Sequence, residues 1–203
     1  MNKQIKPEAV LDRREAIPHI VGDHKDFLIV CGLAGTAQDI ADLTKESANS
    51  FIFGGAMGGA LMTGFGLALA QPNRQVLVAA GDGDVLMSLG SLATIGAHAP
   101  KNLAILCVDN ELYGETGNQR THTGMGVDLR AIAEGSGIKC AMEIRHASQF
   151  GEAARALRGV GPVFVLVKVD GGPSRRHPRS WDAVDRKLIF RRALLGDNPP
   201  DGK

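Results

Sequence analysis

Four short runs along the chain carry almost no polar residue: positions 27–31 (FLIVC), 76–80 (VLVAA), 103–108 (LAILCV) and 163–169 (VFVLVKV). A strand with one wet face alternates apolar and polar side chains, whereas a strand covered on both faces does not, so these runs predict central strands of a parallel sheet. Residues 141–144 form a weaker fifth candidate. Between the runs, residues 36–46, 58–70, 85–97, 128–136 and 148–158 have the apolar spacing and the length of helices. Strand and helix therefore alternate, which predicts an α/β chain built as a doubly wound parallel sheet with right-handed crossovers. Ligands of such sheets bind at the carboxyl ends of the strands.

The pattern changes only near the end. Residues 1–170 read as one domain with no long polar linker, and residues 171–203 read as a basic C-terminal arm. The arm holds eight Lys or Arg against four Asp, with Pro173, Pro178, Pro199 and Pro200 interrupting regular structure. Trp181, Leu188, Ile189 and Phe190 give it apolar surface, which favours a subunit contact over nucleic acid. The whole chain has 23 basic and 22 acidic residues, so bulk charge supplies no general field for nucleic acid or an anionic membrane. Cys31, Cys107 and Cys140 lie far apart with no metal-binding spacing, which fits a reducing compartment. The first residues carry charge where a signal peptide needs an apolar stretch, and a cytoplasmic chain is expected. Residues 51–70 are uncharged, long enough for a membrane helix, and contain a Gly55/Gly59 GxxxG spacing. Six of those twenty residues are glycine and no basic or aromatic anchors flank them, so the stretch reads as a Gly-rich turn entering a buried helix.

Chemistry concentrates at two strand ends. The run 76–80 leads into Gly81-Asp82-Gly83-Asp84 with a helix directly after. Glycines let backbone come close to a ligand, and the N–H groups of a helix start attract anionic oxygens, although Gly-Asp-Gly is also an ordinary turn. The run 103–108 ends in Asp109-Asn110, so Asn110 follows Asp82 by twenty-eight residues, one βαβ unit, and falls on the same sheet edge. A carboxylate and an amide oxygen facing a diphosphate are hard ligands suited to Mg²⁺. A dinucleotide fingerprint is excluded because Leu86 stands where its third glycine belongs, and no Gly-Lys-Ser/Thr of a P-loop occurs.

With these motifs the chain resembles the diphosphate-binding domain of thiamine diphosphate enzymes, whose signature is Gly-Asp-Gly followed just under thirty residues later by Asn, usually preceded by a second Asn. Here Asp109 stands at that preceding position. The segment Gly54-Gly55-Ala56-Met57-Gly58-Gly59 is similar to the one that holds the aminopyrimidine ring, and residues 109–119 (DNELYGETGNQ) are similar to those of sulfopyruvate and phosphonopyruvate decarboxylases. Cluster cysteines of the ferredoxin-linked relatives are missing. The resemblance covers most of residues 20–170 and implies the thiamine diphosphate-binding fold. It also implies Mg²⁺ ligands at Asp82, Asn110 and the Leu112 carbonyl, and a diphosphate along Gly81, Gly83, Asp84 and Tyr113. Gly55 would accept a hydrogen bond from the ring amine through its carbonyl, and Met57 would wedge the bent cofactor, although a core role for Met57 is the plain alternative. Gln119, Arg120 and His122 would meet the second anion of a small 2-oxoacid. His122 lies in a loop, 114–126, read either as a mobile lid or as solvated surface. The glutamate that activates the cofactor in this family sits on a pyrimidine-binding domain, for which these residues leave no room. The implied role is the beta-type half of a decarboxylase of 3-sulfopyruvate, or of phosphonopyruvate, completed in a hetero-oligomer by an alpha-type subunit. A cofactor-binding subunit without turnover is the other reading.

Overall fold

The computed structural model describes residues 10–178, 180 and 182–196. The apolar runs become four parallel strands in the middle of a six-stranded sheet: β1 (Phe27–Cys31), β3 (Gln75–Gly81), β4 (Leu103–Asp109) and β8 (Val163–Lys168). At the edges lie β2 (Ser50–Ile52) and β7 (Cys140–Ile144), giving the order β2-β1-β3-β4-β8-β7 with every pairing parallel. The chain thus winds outward from β1 to β2, then returns to the other side of β1 with β3. A short antiparallel hairpin, β5 (Leu112–Tyr113) and β6 (Gln119–Arg120), stands apart from the sheet.

Both faces of the sheet are covered, which is why the central strands show no alternation. Successive residues of β1 serve opposite layers. Phe27, Ile29 and Cys31 meet α1 (Arg13–Val21), α2 (Ala34–Thr44) and α7 (Phe150–Leu157). Leu28 and Val30 join the layer of α3 (Ala60–Ala70), α5 (Gly90–His98) and α6 (Leu129–Gly135). Each Ile, Leu or Phe buried in these layers contributes roughly 1.5–3 kcal/mol. The layers hold because α3 approaches closely: a Cβ at Gly64 would lie 2.0 Å from Val78 Cγ2.

One feature refines the sequence reading and three depart from it. The uncharged stretch 51–70 begins inside β2, then enters the glycine turn and the eleven-residue α3. Among the described residues no helix is long and apolar enough to cross a membrane. The expected helix over 85–97 is two helices, α4 (Asp82–Met87) and α5, parted at Ser88–Leu89. The segment ahead of the first run forms α1, capped by the Asp12 carboxylate, which accepts Arg14 N–H at 2.8 Å. The arm carries α8 (Ala183–Leu195), whose cap Asp182 accepts the N–H groups of Val184 and Asp185, both at 3.0 Å. From α8 the buried Arg186 donates to the carbonyls of Ser47 (3.3 Å) and Ser50 (3.0 Å) beside β2. Trp181, Pro199 and Pro200 lie outside the described residues, as does the charged segment 1–9.

Candidate active site

The carboxyl ends of β1, β3, β4 and β8 line one edge of the sheet, at the point where the strand order reverses about β1. Register sets Gly81 of β3 beside Val108 of β4, and Asp109 of β4 beside Lys168 of β8. The Gly-Asp-Gly turn is the start of α4 itself, with Asp82 as its first residue. Asp82 is 2 % exposed. Its Oδ2 accepts the hydroxyl of Thr121 at 2.5 Å and lies 3.1 Å from Thr123 Oγ1, which also lies 2.8 Å from Asp109 Oδ1. One hydroxyl proton cannot serve both carboxylates at once. Burial, and then the charge of Asp109, push the Asp82 pKa up to about 6, against the lowering effect of the threonine hydroxyls. No basic side chain pairs with Asp82 among the described residues, whereas Asp109 has Lys168 Nζ at 2.9 Å.

Asn110 follows β4 and accepts the Leu112 N–H on its Oδ1 at 3.2 Å, closing an Asx turn. Glu111, between them, takes a left-handed φ of 62°. Its carbonyl accepts the Thr121 N–H at 2.9 Å, so Thr121 joins Asp82 to the turn that carries Asn110 and Leu112. A deprotonated Asp82 with an Asn amide oxygen and a backbone carbonyl at hand is a hard donor set short of positive charge, and it fits a divalent cation.

Next to it Met57, Gly83 and Tyr113 come together. A Cβ at Gly83 would stand 2.7 Å from Tyr113 Cε1 and 3.3 Å from Met57 Cε, so only glycine leaves those side chains where they are. Gly55 is exposed, with nothing within 4 Å of a Cβ built on it. Asp84 is 3 % exposed; its Oδ1 accepts the Gly58 N–H at 2.5 Å, and its Oδ2 has no hydrogen-bond partner among the described residues. Burial raises its pKa, and the bond fastens the glycine turn 54–59 to α4. Gln119, Arg120 and His122 are exposed, on β6 and just beyond it. The Gln119 amide exchanges bonds with Thr116 (2.8 Å), Arg120 donates to the Gly124 carbonyl, and His122 precedes the 3-10 turn Thr123–Met125 without a side-chain bond to it. The segment 114–126 is anchored at its base, where Thr121 and Thr123 bond to Asp82 and Asp109, while its exposed tip bonds within the hairpin. A cavity of about 290 Å³ lined by Asn110, Glu111, Arg145, Lys168 and Asp170 adjoins the turn.

Sequence reasoning missed Thr121, Thr123 and Lys168. The threonines sit in a polar loop and carry no signal of their own. Lys168 does, as the one charge inside an otherwise apolar strand.

Comparison with known proteins bears on the family and the fold. Residues 34–167 match the family described as thiamine pyrophosphate enzyme, C-terminal TPP binding domain. Sulfopyruvate decarboxylase subunit beta of Methanothermobacter thermautotrophicus is 40% identical over 163 residues, covering 80% of this chain and 84% of that protein. Phosphonopyruvate decarboxylase of Streptomyces viridochromogenes is 45% identical over 166 residues, which is 81% of this chain but 39% of that longer protein. The fold matches a Mycobacterium smegmatis structure described as a thiamin diphosphate-dependent enzyme, with a TM-score of 0.63 at 22% identity, over 78% of this chain and 31% of that one.

Proposed function

The chain belongs to the thiamine pyrophosphate enzymes through their C-terminal TPP-binding domain, and from that premise we propose that it is the beta-type subunit of a thiamine diphosphate- and Mg²⁺-dependent decarboxylase. The substrate is a small 2-oxoacid, 3-sulfopyruvate, which takes up one proton and yields sulfoacetaldehyde and CO₂. The observation that carries this reading is the likeness to a sulfopyruvate decarboxylase beta subunit along most of that relative's length, where the phosphonopyruvate decarboxylase matches over less than half.

In this reading Asp82, Asn110 and the Leu112 carbonyl hold Mg²⁺, and Gly81, Gly83, Asp84 and Tyr113 border the diphosphate. Asp84 acts by holding the glycine turn, so that the Gly55 carbonyl is presented to the ring amine and Met57 supports the cofactor's bend. When bound, the thiazolium ring is the electron sink for the pair released as CO₂ departs. The protein's own share is position and dryness: Met57 and Tyr113 exclude water, and Arg120, with Gln119 and His122, meets the sulfonate. An alpha-type, pyrimidine-binding subunit supplies the activating glutamate, in a cytoplasmic hetero-oligomer. Residues 1–170 form the cofactor domain. The exposed side of the arm 171–203 contacts a subunit, although α8 also packs on this chain's own β2 through Arg186 and Phe190.

The test is turnover. The chain, alone and with an alpha-type partner, is saturated with Mg²⁺ and thiamine diphosphate, and CO₂ release is followed from 3-sulfopyruvate and from phosphonopyruvate. Activity with 3-sulfopyruvate only in the pair is expected. Full turnover by the single chain would overturn the split enzyme, faster turnover of phosphonopyruvate would change the substrate, and silence throughout would favour a non-catalytic subunit.

A further inference from the structure

The apolar run that forms β8 is broken once, at Lys168, whose side chain is 12 % exposed. Burying an ammonium is costly unless it is paired. Lys168 Nζ has two partners, Asp109 Oδ2 at 2.9 Å and Glu111 Oε1 at 2.5 Å. These are the residues on either side of Asn110.

The two contacts do different work. Asp109 is 1 % exposed, and its other oxygen accepts the Glu111 N–H (3.0 Å) and lies beside Thr123 Oγ1 (2.8 Å). Thr123 and Thr121 in turn hold Asp82 Oδ2. Unpaired, the Asp109 carboxylate would be a buried negative charge without a counter-ion, one hydroxyl away from Asp82, and the turn that carries it would have to shift to bring it to water. Lys168 cancels that charge. Through Glu111 it also restrains the left-handed residue that turns the chain from Asn110 to Leu112, a conformation that side-chain-bearing residues rarely adopt without constraint.

We infer that Lys168 is a positioning residue for the divalent cation: by gripping Asp109 and Glu111 it fixes the Asn110 amide between them and the Leu112 carbonyl just beyond, and it keeps the buried Asp109 carboxylate paired so that the turn stays in place. The inference rests on the Mg²⁺-diphosphate reading of the site. It carries a condition that a plain strand-to-strand tie would lack. Lys168 is needed because residue 109 is Asp, so an uncharged residue 109 relieves the need.

Mg²⁺ is titrated at a fixed concentration of thiamine diphosphate into the chain co-purified with its partner subunit, with calorimetry as the readout and melting in the absence of metal as a check on folding. Lys168→Met is expected to raise the Mg²⁺ concentration at half-saturation at least about tenfold, as losses behind a metal ligand commonly do. Adding Asp109→Asn to Lys168→Met should recover most of that loss, leaving the several-fold cost of the missing Glu111 contact, and Lys168→Arg should fall between. If Lys168→Met does not fold, Glu111→Gln decides, with a several-fold weakening expected. No Mg²⁺-dependent cofactor binding by the parent protein would remove the site reading and this inference together. Binding by the parent with an unchanged midpoint in folded Lys168→Met, or in Glu111→Gln, would overturn the inference alone. So would a double variant no better than the single one.

Discussion

At the scale of single residues, the carboxylate of Asp82 makes a pH-dependent claim. Its pKa of about 6 lies above the ordinary 3.8, so the folded chain holds this proton more tightly than the unfolded one. Between about pH 4 and 6 the folded state binds more protons. The contribution of this group to stability is full below that window and is lost as pH rises through 6. A cation at the same oxygens must displace the proton. Apparent Mg²⁺ affinity in the presence of thiamine diphosphate should therefore fall about tenfold per pH unit below 6 and level off above 7. Calorimetry from pH 5 to 8 measures this, and a profile flat from pH 5 to 7 would take Asp82 out of the ligand set. Asp82 and Asn110 were legible in the sequence because each lies immediately beyond an apolar run, and the spacing between them is that of neighbouring strands. Thr121, Thr123 and Lys168 were not, since their bonds to Asp82 and Asp109 join residues 39, 41 and 59 positions apart. No local pattern encodes such a contact, and only the loneliness of a lysine in β8 hinted at one.

At the scale of elements, the central strands were readable to within about a residue because burial on both faces leaves a continuous apolar run. Edge and outer elements were not. β2 is three residues long and is hidden at the head of an uncharged stretch. α1 was obscured by its charges and by Pro18, although Ala16, Ile17, Ile20 and Val21 are fully buried on the stripe that packs inward. The expected helix over 85–97 failed at Ser88, whose backbone leaves the helical region with φ −126° and ψ 38° and whose N–H turns to the Val85 carbonyl at 3.1 Å. α1 is also held by a buried ion pair, Arg13 Nε and Nη2 on Asp39 Oδ2 at 2.8 and 2.7 Å, which joins it to α2. Removing one charge strands the other. Arg13→Met should lower unfolding free energy by about 3–5 kcal/mol, and adding Asp39→Leu should recover most of it. Urea denaturation reads both, and a loss under 1 kcal/mol in the single variant would mean that water reaches the pair.

At the scale of the whole molecule, the sheet has two ends of different character. The β7 end carries Glu143 and Arg145, charges that discourage another strand from docking there. The β2 end lacks them. Its inner backbone groups serve β1, with Asn49 O accepting Ile29 N–H and Phe53 N–H donating to Cys31 O, while Ser50 turns its carbonyl the other way, to Arg186 of α8. Phe190 of the same helix lies against Phe51, ring centres 6.1 Å apart. α8 thus works as a cover for an open sheet border that is otherwise a template for strand addition. A chain ending at residue 170 should keep its fold yet self-associate through β2, seen as light scattering that grows with concentration. A truncated chain that stays monomeric at about 100 μM would show that β2 is too short to recruit a neighbour. If it does recruit one, the basic arm is what keeps two copies of this protein from pairing edge to edge before any partner arrives.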